Sequence, residues 1–166
     1  MRRIGPVLAL LAWLGAARSP QELPKEIRKA LDSLHAGWRF AQLDTFNTRQ
    51  LKPDERADWV SGDLDARGKP DYVVQIVDPG RPQASRQLVL GFINSARGFS
   101  RLSIDSTPQS LQTYLRVNRR GTRGFNIETH RWFTYQRDVL SILYGQTAGM
   151  DCPYASGRFS CTVSGD

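Results

Sequence analysis

Three aspartates pose the first chemical question. Asp63, Asp65 and Asp71 stand at the first, third and ninth places of the stretch that follows Gly62, with Gly68 at the sixth and Tyr72-Val73-Val74 directly after. Carboxylates at this spacing offer hard oxygen ligands, and a glycine between them lets a short loop close around calcium. The backbone carbonyl of Lys69 would add a further oxygen. Arg67 holds the fifth place, where a ligand oxygen belongs, and its cation repels a metal directly. Two outcomes follow: a calcium site, calcium being the one cofactor the sequence suggests, or a metal-free turn. In the second, Arg67 neutralises the aspartates and their oxygens bond the backbone.

A second group is basic. Arg116, Arg119, Arg120 and Arg123 surround a turn, with Tyr114, Phe125, Trp132 and Tyr135 near in sequence. Arginines interleaved with aromatics bind anionic polymers by charge and stacking. For an exported chain, an acidic glycan, a lipid head group or another envelope component fits better than nucleic acid. The alternative is a solvated loop flanked by core aromatics.

Glu128-Thr129-His130 places a carboxylate beside a histidine, and in a strand residues 128 and 130 share a face. A small secreted hydrolase could use His130 with nearby acids. No serine elbow, His-x-x-x-His or glycine-rich phosphate loop accompanies the pair, so no catalytic residue is assigned.

Cys152 and Cys161 flank Ser156-Gly157, a dipeptide suited to a two-residue hairpin turn. Counting outward from Ala155 and Arg158, the cysteines fall opposite each other at a non-hydrogen-bonded site, where Cα atoms lie roughly 4.5 Å apart. A disulfide accepts that separation. A cysteine nucleophile is the alternative, and its general base would have to be His35 or His130.

The compartment is read from the start of the chain. Arg2-Arg3, the apolar run Ile4–Leu14 and the small residues Gly15-Ala16-Ala17 form a secretory signal pattern over 1–17, too short for a comfortable membrane span. An N-terminal membrane anchor is the competing reading. Cleavage after Ala17 removes Arg2 and Arg3 and lowers the net charge from +7 to +5. The mature chain then carries no second long apolar segment, so a secreted or periplasmic protein without a transmembrane segment is expected. The 166-residue chain suits one domain, 18–166, able to bury a core of its own.

Elements to position these groups are legible in outline. Leu23, Ile27, Leu31 and Leu34 recur at helical spacing, with Pro24 to start and Gly37 to stop, which predicts a helix over 24–35. His35 ends it as a solvated or helix-end histidine. Trp38–Leu43 alternates as a strand, and 44–58 reads as a loop with a helical turn near Pro53–Arg56. Residues 72–77 and 87–93 are apolar on both faces; 99–104, 111–117, 125–128, 132–135 and 139–144 are further strands. Strands at short spacing argue an antiparallel sheet. The fold class expected is α+β: an N-terminal helix on a mainly antiparallel β-sheet, with a disulfide-bridged C-terminal hairpin.

The loop resembles the FG-GAP/VCBS type of extracellular β-protein, whose repeats carry Asp-x-Asp-x-Asp-Gly-x-x-Asp before a strand. Small exported bacterial proteins with one such loop are similar over more of the chain. They share an early Gly-Trp, here Gly37-Trp38, and an ending like Tyr154–Phe159 with Ser164-Gly165-Asp166. Ala66 and Arg67 depart from the Gly and Asp of that pattern. The resemblance implies an extracytoplasmic, β-rich protein and brings no catalytic residue. The function expected is a non-catalytic extracytoplasmic binding or interaction module with a degenerate calcium loop.

Overall fold

The computed structural model describes residues 22–126, 129–144 and 148–164. The expected signal sequence, Glu128 and the final Gly165-Asp166 lie outside them. In chain order the elements are helix α1 (Lys25–Leu34), β1 (Arg39–Phe40), helix α2 (Thr45–Gln50), β2 (Trp59–Gly62), β3 (Asp71–Val77), β4 (Gln87–Ser95), β5 (Gly98–Thr107) and β6 (Thr113–Asn118). Then follow β7 (Arg123–Asn126), β8 (Arg131–Thr134), β9 (Val139–Tyr144), β10 (Ala148–Cys152), β11 (Tyr154–Ala155), β12 (Arg158–Phe159) and β13 (Thr162–Ser164). The protein is built mainly of antiparallel sheets with few helices. Its first described helix begins at Lys25, set in from the chain's start, so the expected N-terminal helix is an internal one.

Two larger sheets replace the single sheet expected. The first contains β1 to β5, and the second runs β13-β10-β9-β6. Strand β3 is central because its apolar residues are covered on both sides. Alternate side chains of a strand point to opposite faces. Tyr72, Val74 and Ile76 pack with Leu88, Leu90, Phe92, with Leu23 just before α1, and with the α1 residues Ile27 and Leu31. Val73 and Val89 pack instead with Leu115, Val117, Leu140 and Ile142 of the second sheet. The result is three layers: helix, five-stranded sheet, four-stranded sheet. Each fully buried aliphatic side chain contributes roughly 1.5–3 kcal/mol, and Ile27 and Leu31, both at 0 % exposure, anchor α1 on the sheet.

Between the sheets lies one polar island. Gln75 Nε2 donates to the Thr113 carbonyl at 2.8 Å, Thr113 Oγ1 donates to Gln75 Oε1 at 3.0 Å, and Gln87 donates to the same hydroxyl. Buried amides in a core are tolerated when bonded in this way.

Several expected elements differ. The strand over 38–43 shrinks to β1, because one edge of β3 serves two partners. Ala41 takes the Gln75 carbonyl, then Asp58 takes the Gln75 amide, and β2 continues from there. A helix not expected forms at Thr45–Gln50: Asp44 caps it, accepting from the Asn47 amide at 2.7 Å. The expected turn follows it at Pro53-Asp54, closed by the Glu55 amide on the Lys52 carbonyl at 3.0 Å. Arg56, at the end of that stretch, pairs in bridge fashion with Leu115. Where strands were expected at 125–128 and 132–135, β7 and β8 form a separate two-stranded ribbon over Arg123–Asn126 and Arg131–Thr134. Strand β10, with alanine and glycine at its start, carries no apolar alternation to announce it. The disulfide is present between Cys152 and Cys161, with Cα atoms 4.0 Å apart, above the expected turn in which Tyr154 pairs with Phe159 and Ala155 with Arg158.

Candidate functional site

The acidic loop joins β2 to β3, and the register Gly62↔Asp71 brings its ends together. Gly62 is needed for closeness: a Cβ there would stand 2.8 Å from Val117 Cγ1. Inside the loop, the Ala66 amide bonds the Asp63 carbonyl at 3.3 Å and Ala66 adopts a positive φ of 60°. That conformation favours the glycine found there in the resembling pattern.

The three aspartates do converge. One carboxylate oxygen from each of Asp63, Asp65 and Asp71 lies within 4.8 Å of the others. Most of their carboxylate oxygens already accept a hydrogen bond. Asp63 accepts from the Gly68 amide at 3.0 Å, Asp65 from the Arg67 amide at 3.1 Å, and Asp71 from the amides of Asn94 and Asp65 at 2.8 and 3.1 Å. The Arg67 guanidinium pairs with the second oxygen of Asp65 and also donates to the Asn94 carbonyl at 3.2 Å. Lys69 is exposed in the same loop. Burial pushes the Asp71 carboxyl above the usual carboxylate range, against the amides of Asn94, Asp65 and Leu64 that favour its charge. Calcium requires six to eight oxygens. Three carboxylates already bonded to amides and to a guanidinium do not fit that demand.

The four arginines divide into two groups. Arg119 Nη1 donates to Asp138 at 2.7 Å, and Nη2 to the Ser61 carbonyl at 3.0 Å. The amides of Arg120 and Asp63 donate to the same carboxylate. Burial opposes ionisation of Asp138, yet these donors outweigh it and hold the group below its usual range. Arg119 thus ties the acidic loop to the turn after β6, while Arg120 is exposed beside it.

Arg116 and Arg123 belong elsewhere. They line a depression of about 210 Å³ with Lys52, Phe125, Trp132 and Tyr135. Arg123 and Trp132 are diagonal neighbours on one face of the β7–β8 ribbon, and the guanidinium sits 4.8 Å from the indole centroid. The floor is a polar network on the outer face of the second sheet. Arg116, Ser141 and Asp151 are cross-strand neighbours there. Asp151 accepts from the Tyr135 hydroxyl at 2.5 Å, from Ser141 and from the Asn118 amide. Arg116 Nε donates to Asn118 Oδ1 at 3.0 Å, and its Nη1 reaches the buried Glu55 at 3.4 Å. Lys52, Asn118, Ser141 and Asp151 were not anticipated from the sequence. A lone serine within the apolar run Val139–Tyr144 is the signal that a polar partner lay opposite.

His130 does not sit in a strand beside an acid. It is exposed in the turn of the β7–β8 ribbon with a positive φ of 52°, and among the described residues no acid or nucleophile is hydrogen-bonded to it. Its expected companion Glu128 lies outside the described residues. His35 is neither solvated nor idle. It is buried at the end of α1, with Nδ1 2.8 Å from Asp78 Oδ2 and Nε2 3.2 Å from Arg101 Nη1. A guanidinium only donates, so Nε2 accepts and Nδ1–H donates to Asp78. Both cysteines are committed to the disulfide, which removes the cysteine nucleophile.

Searches of family models, curated proteins and solved structures found no match to this chain.

Proposed function

We propose that this chain is a non-catalytic, extracytoplasmic binding module for an acidic glycan or a similar anionic envelope component. Its binding face is the β7–β8 ribbon with the neighbouring arginines. One observation carries the reading: Trp132 is 63 % exposed with Arg123 stacked on it, and Arg123 has no carboxylate partner among the described residues. An exposed tryptophan beside an unneutralised cation is suited to a partner that is both anionic and partly apolar.

The rest of the molecule supports this role. The disulfide suits an oxidising, extracytoplasmic compartment, and no described helix is long and apolar enough to cross a membrane. The acidic loop acts as an organising turn of FG-GAP/VCBS descent in which Arg67 has taken the place of a ligand, so binding does not depend on calcium. The test is retention on immobilised heparin across a salt gradient. The wild-type protein should be retained at low salt and released as salt rises, and an Arg120→Glu/Arg123→Glu variant should flow through. Equal retention of that variant, with or without chelator, would refute the reading.

A further inference from the structure

We infer that the depression between the β7–β8 ribbon and the outer face of the second sheet is a subsite for one acidic sugar unit. Its ring lies against Trp132 and Phe125, and its anionic group meets Arg123. The inference rests on the binding role proposed above and names the ligand class and the residues that read it.

Size is the first argument. Drug-sized ligands occupy pockets of roughly 300–1,000 Å³. The depression measures about 210 Å³, room for a single ring rather than for a peptide segment or a lipid tail. Its walls are the second. Phe125 and Trp132 stand with ring centroids 5.2 Å apart and planes inclined at 57°, which makes an angled apolar wall against which the C–H face of a pyranose can lie.

Charge is the third argument. Lys52, Arg116 and Arg123 line the depression against the single carboxylate of Asp151. Asp151 is taken up by Tyr135, Ser141 and Asn118, so its charge is met within the floor. Arg116 is engaged with Asn118 and Glu55. Arg123 differs: its guanidinium is held over Trp132 rather than by a carboxylate, and it keeps its donors for a ligand. A planar fork fixed by stacking suits a carboxylate or sulfate oxygen pair. Rigidity is the fourth. A Cβ on Gly124 would stand 2.5 Å from Phe133 Cζ and 2.9 Å from Tyr135 Cε2, so the ribbon and the Tyr135 hydroxyl are set in place by close packing before any ligand arrives.

The test is titration of the purified protein with trigalacturonate, followed through the indole N–H resonances by nuclear magnetic resonance. The fully methyl-esterified trimer serves as the uncharged twin and a 6-O-sulfated galactotriose as the alternative anion. Trp38 and Trp59, both partly buried in the first sheet's core, are internal references. Trigalacturonate should move the Trp132 resonance and leave the other two in place. The methyl ester should bind at least tenfold more weakly, as should the exposed-site variants Arg123→Gln and, followed by calorimetry because it lacks the reporting indole, Trp132→Ala, the loss expected for one charge-assisted contact. A response to the sulfated trimer alone assigns the anionic group as a sulfate ester. Equal binding of ester and acid, or binding indifferent to both variants, overturns the subsite. Silence at Trp132 toward both acidic trimers, with heparin retention intact, also overturns it and leaves the broader binding role standing. Silence accompanied by loss of heparin retention ends both.

Discussion

Arg67 and Asp65 form an ion pair within the loop whose aspartates are spaced for calcium, with the guanidinium bound to Asp65 Oδ2. The cation at the fifth loop place thus supplies internally the positive charge that an ion would bring. The same guanidinium reaches the Asn94 carbonyl, and the Asn94 amide bonds Asp71, so the loop is pinned to the end of β4.

This pairing makes calcium affinity a property that one substitution should restore. Arg67→Asp removes the cation and adds a carboxylate at a ligand position. Calorimetry at millimolar calcium should show about tenfold or greater gain in affinity over the wild-type chain, with a matching rise in thermal midpoint. Equal behaviour of the two proteins would count against the self-paired turn.

The contact between β2 and β6 predicts intolerance at Gly62. A Cβ there meets Val117 Cγ1 at 2.8 Å and Asp138 Oδ2 at 3.0 Å, and both belong to packed or paired groups. Gly62→Ala should cost about 1–3 kcal/mol in urea unfolding, as overpacking of a tight interior does. A variant as stable as wild type would show that the two strands separate freely.

Asp78 and His35 predict a pH dependence. Burial raises the cost of charging Asp78, but the hydrogen bonds from His35 and the Gly80 amide, with Arg81 nearby, prevail and hold its carboxyl below the usual range. A depressed folded-state value contributes stability above the unfolded value of about 3.9, and that contribution is lost as pH falls through the folded value. Asp78→Asn should therefore destabilise the protein by about 1–3 kcal/mol near neutral pH, the cost of breaking a buried hydrogen-bonded pair. The gap to wild type should close as the pH of the denaturation experiment drops below 4. A gap that stays constant with pH would assign the loss to packing alone.

The disulfide closes a short loop, with a sequence separation of 9. Chain-entropy reasoning gives about 2.5–3 kcal/mol for such a closure. Cys152→Ser/Cys161→Ser should lose about that much, and reducing the wild-type protein should match it in the same thermal melt. Phe159, which rests over Gly91 of the first sheet, should become mobile by relaxation measurements in both cases. Full stability after reduction would mean that packing alone holds the last hairpin.

Local chemistry was readable from the sequence because it depends on neighbours in the chain. The helical spacing of Leu23, Ile27 and Leu31, the doubly apolar runs of β3 and β4, and the turn at Ser156-Gly157 that sets one cysteine opposite the other are all short-range patterns. The convergence of Asp63, Asp65 and Asp71 was legible for the same reason. What the fold alone decided are relations between distant segments. Four arginines close in sequence separate because Arg119 finds Asp138 while Arg116 and Arg123 line the depression beside the ribbon, and strand alternation gives no knowledge of which sheet face a ribbon will cover. His35 looks like a helix-end residue until folding brings Asp78 and Arg101 to its two nitrogens. The network of Asn118, Tyr135, Ser141 and Asp151 joins three strands and a ribbon. Burial demands such partners for polar groups, but only the register of β6, β9 and β10 determines which ones they are.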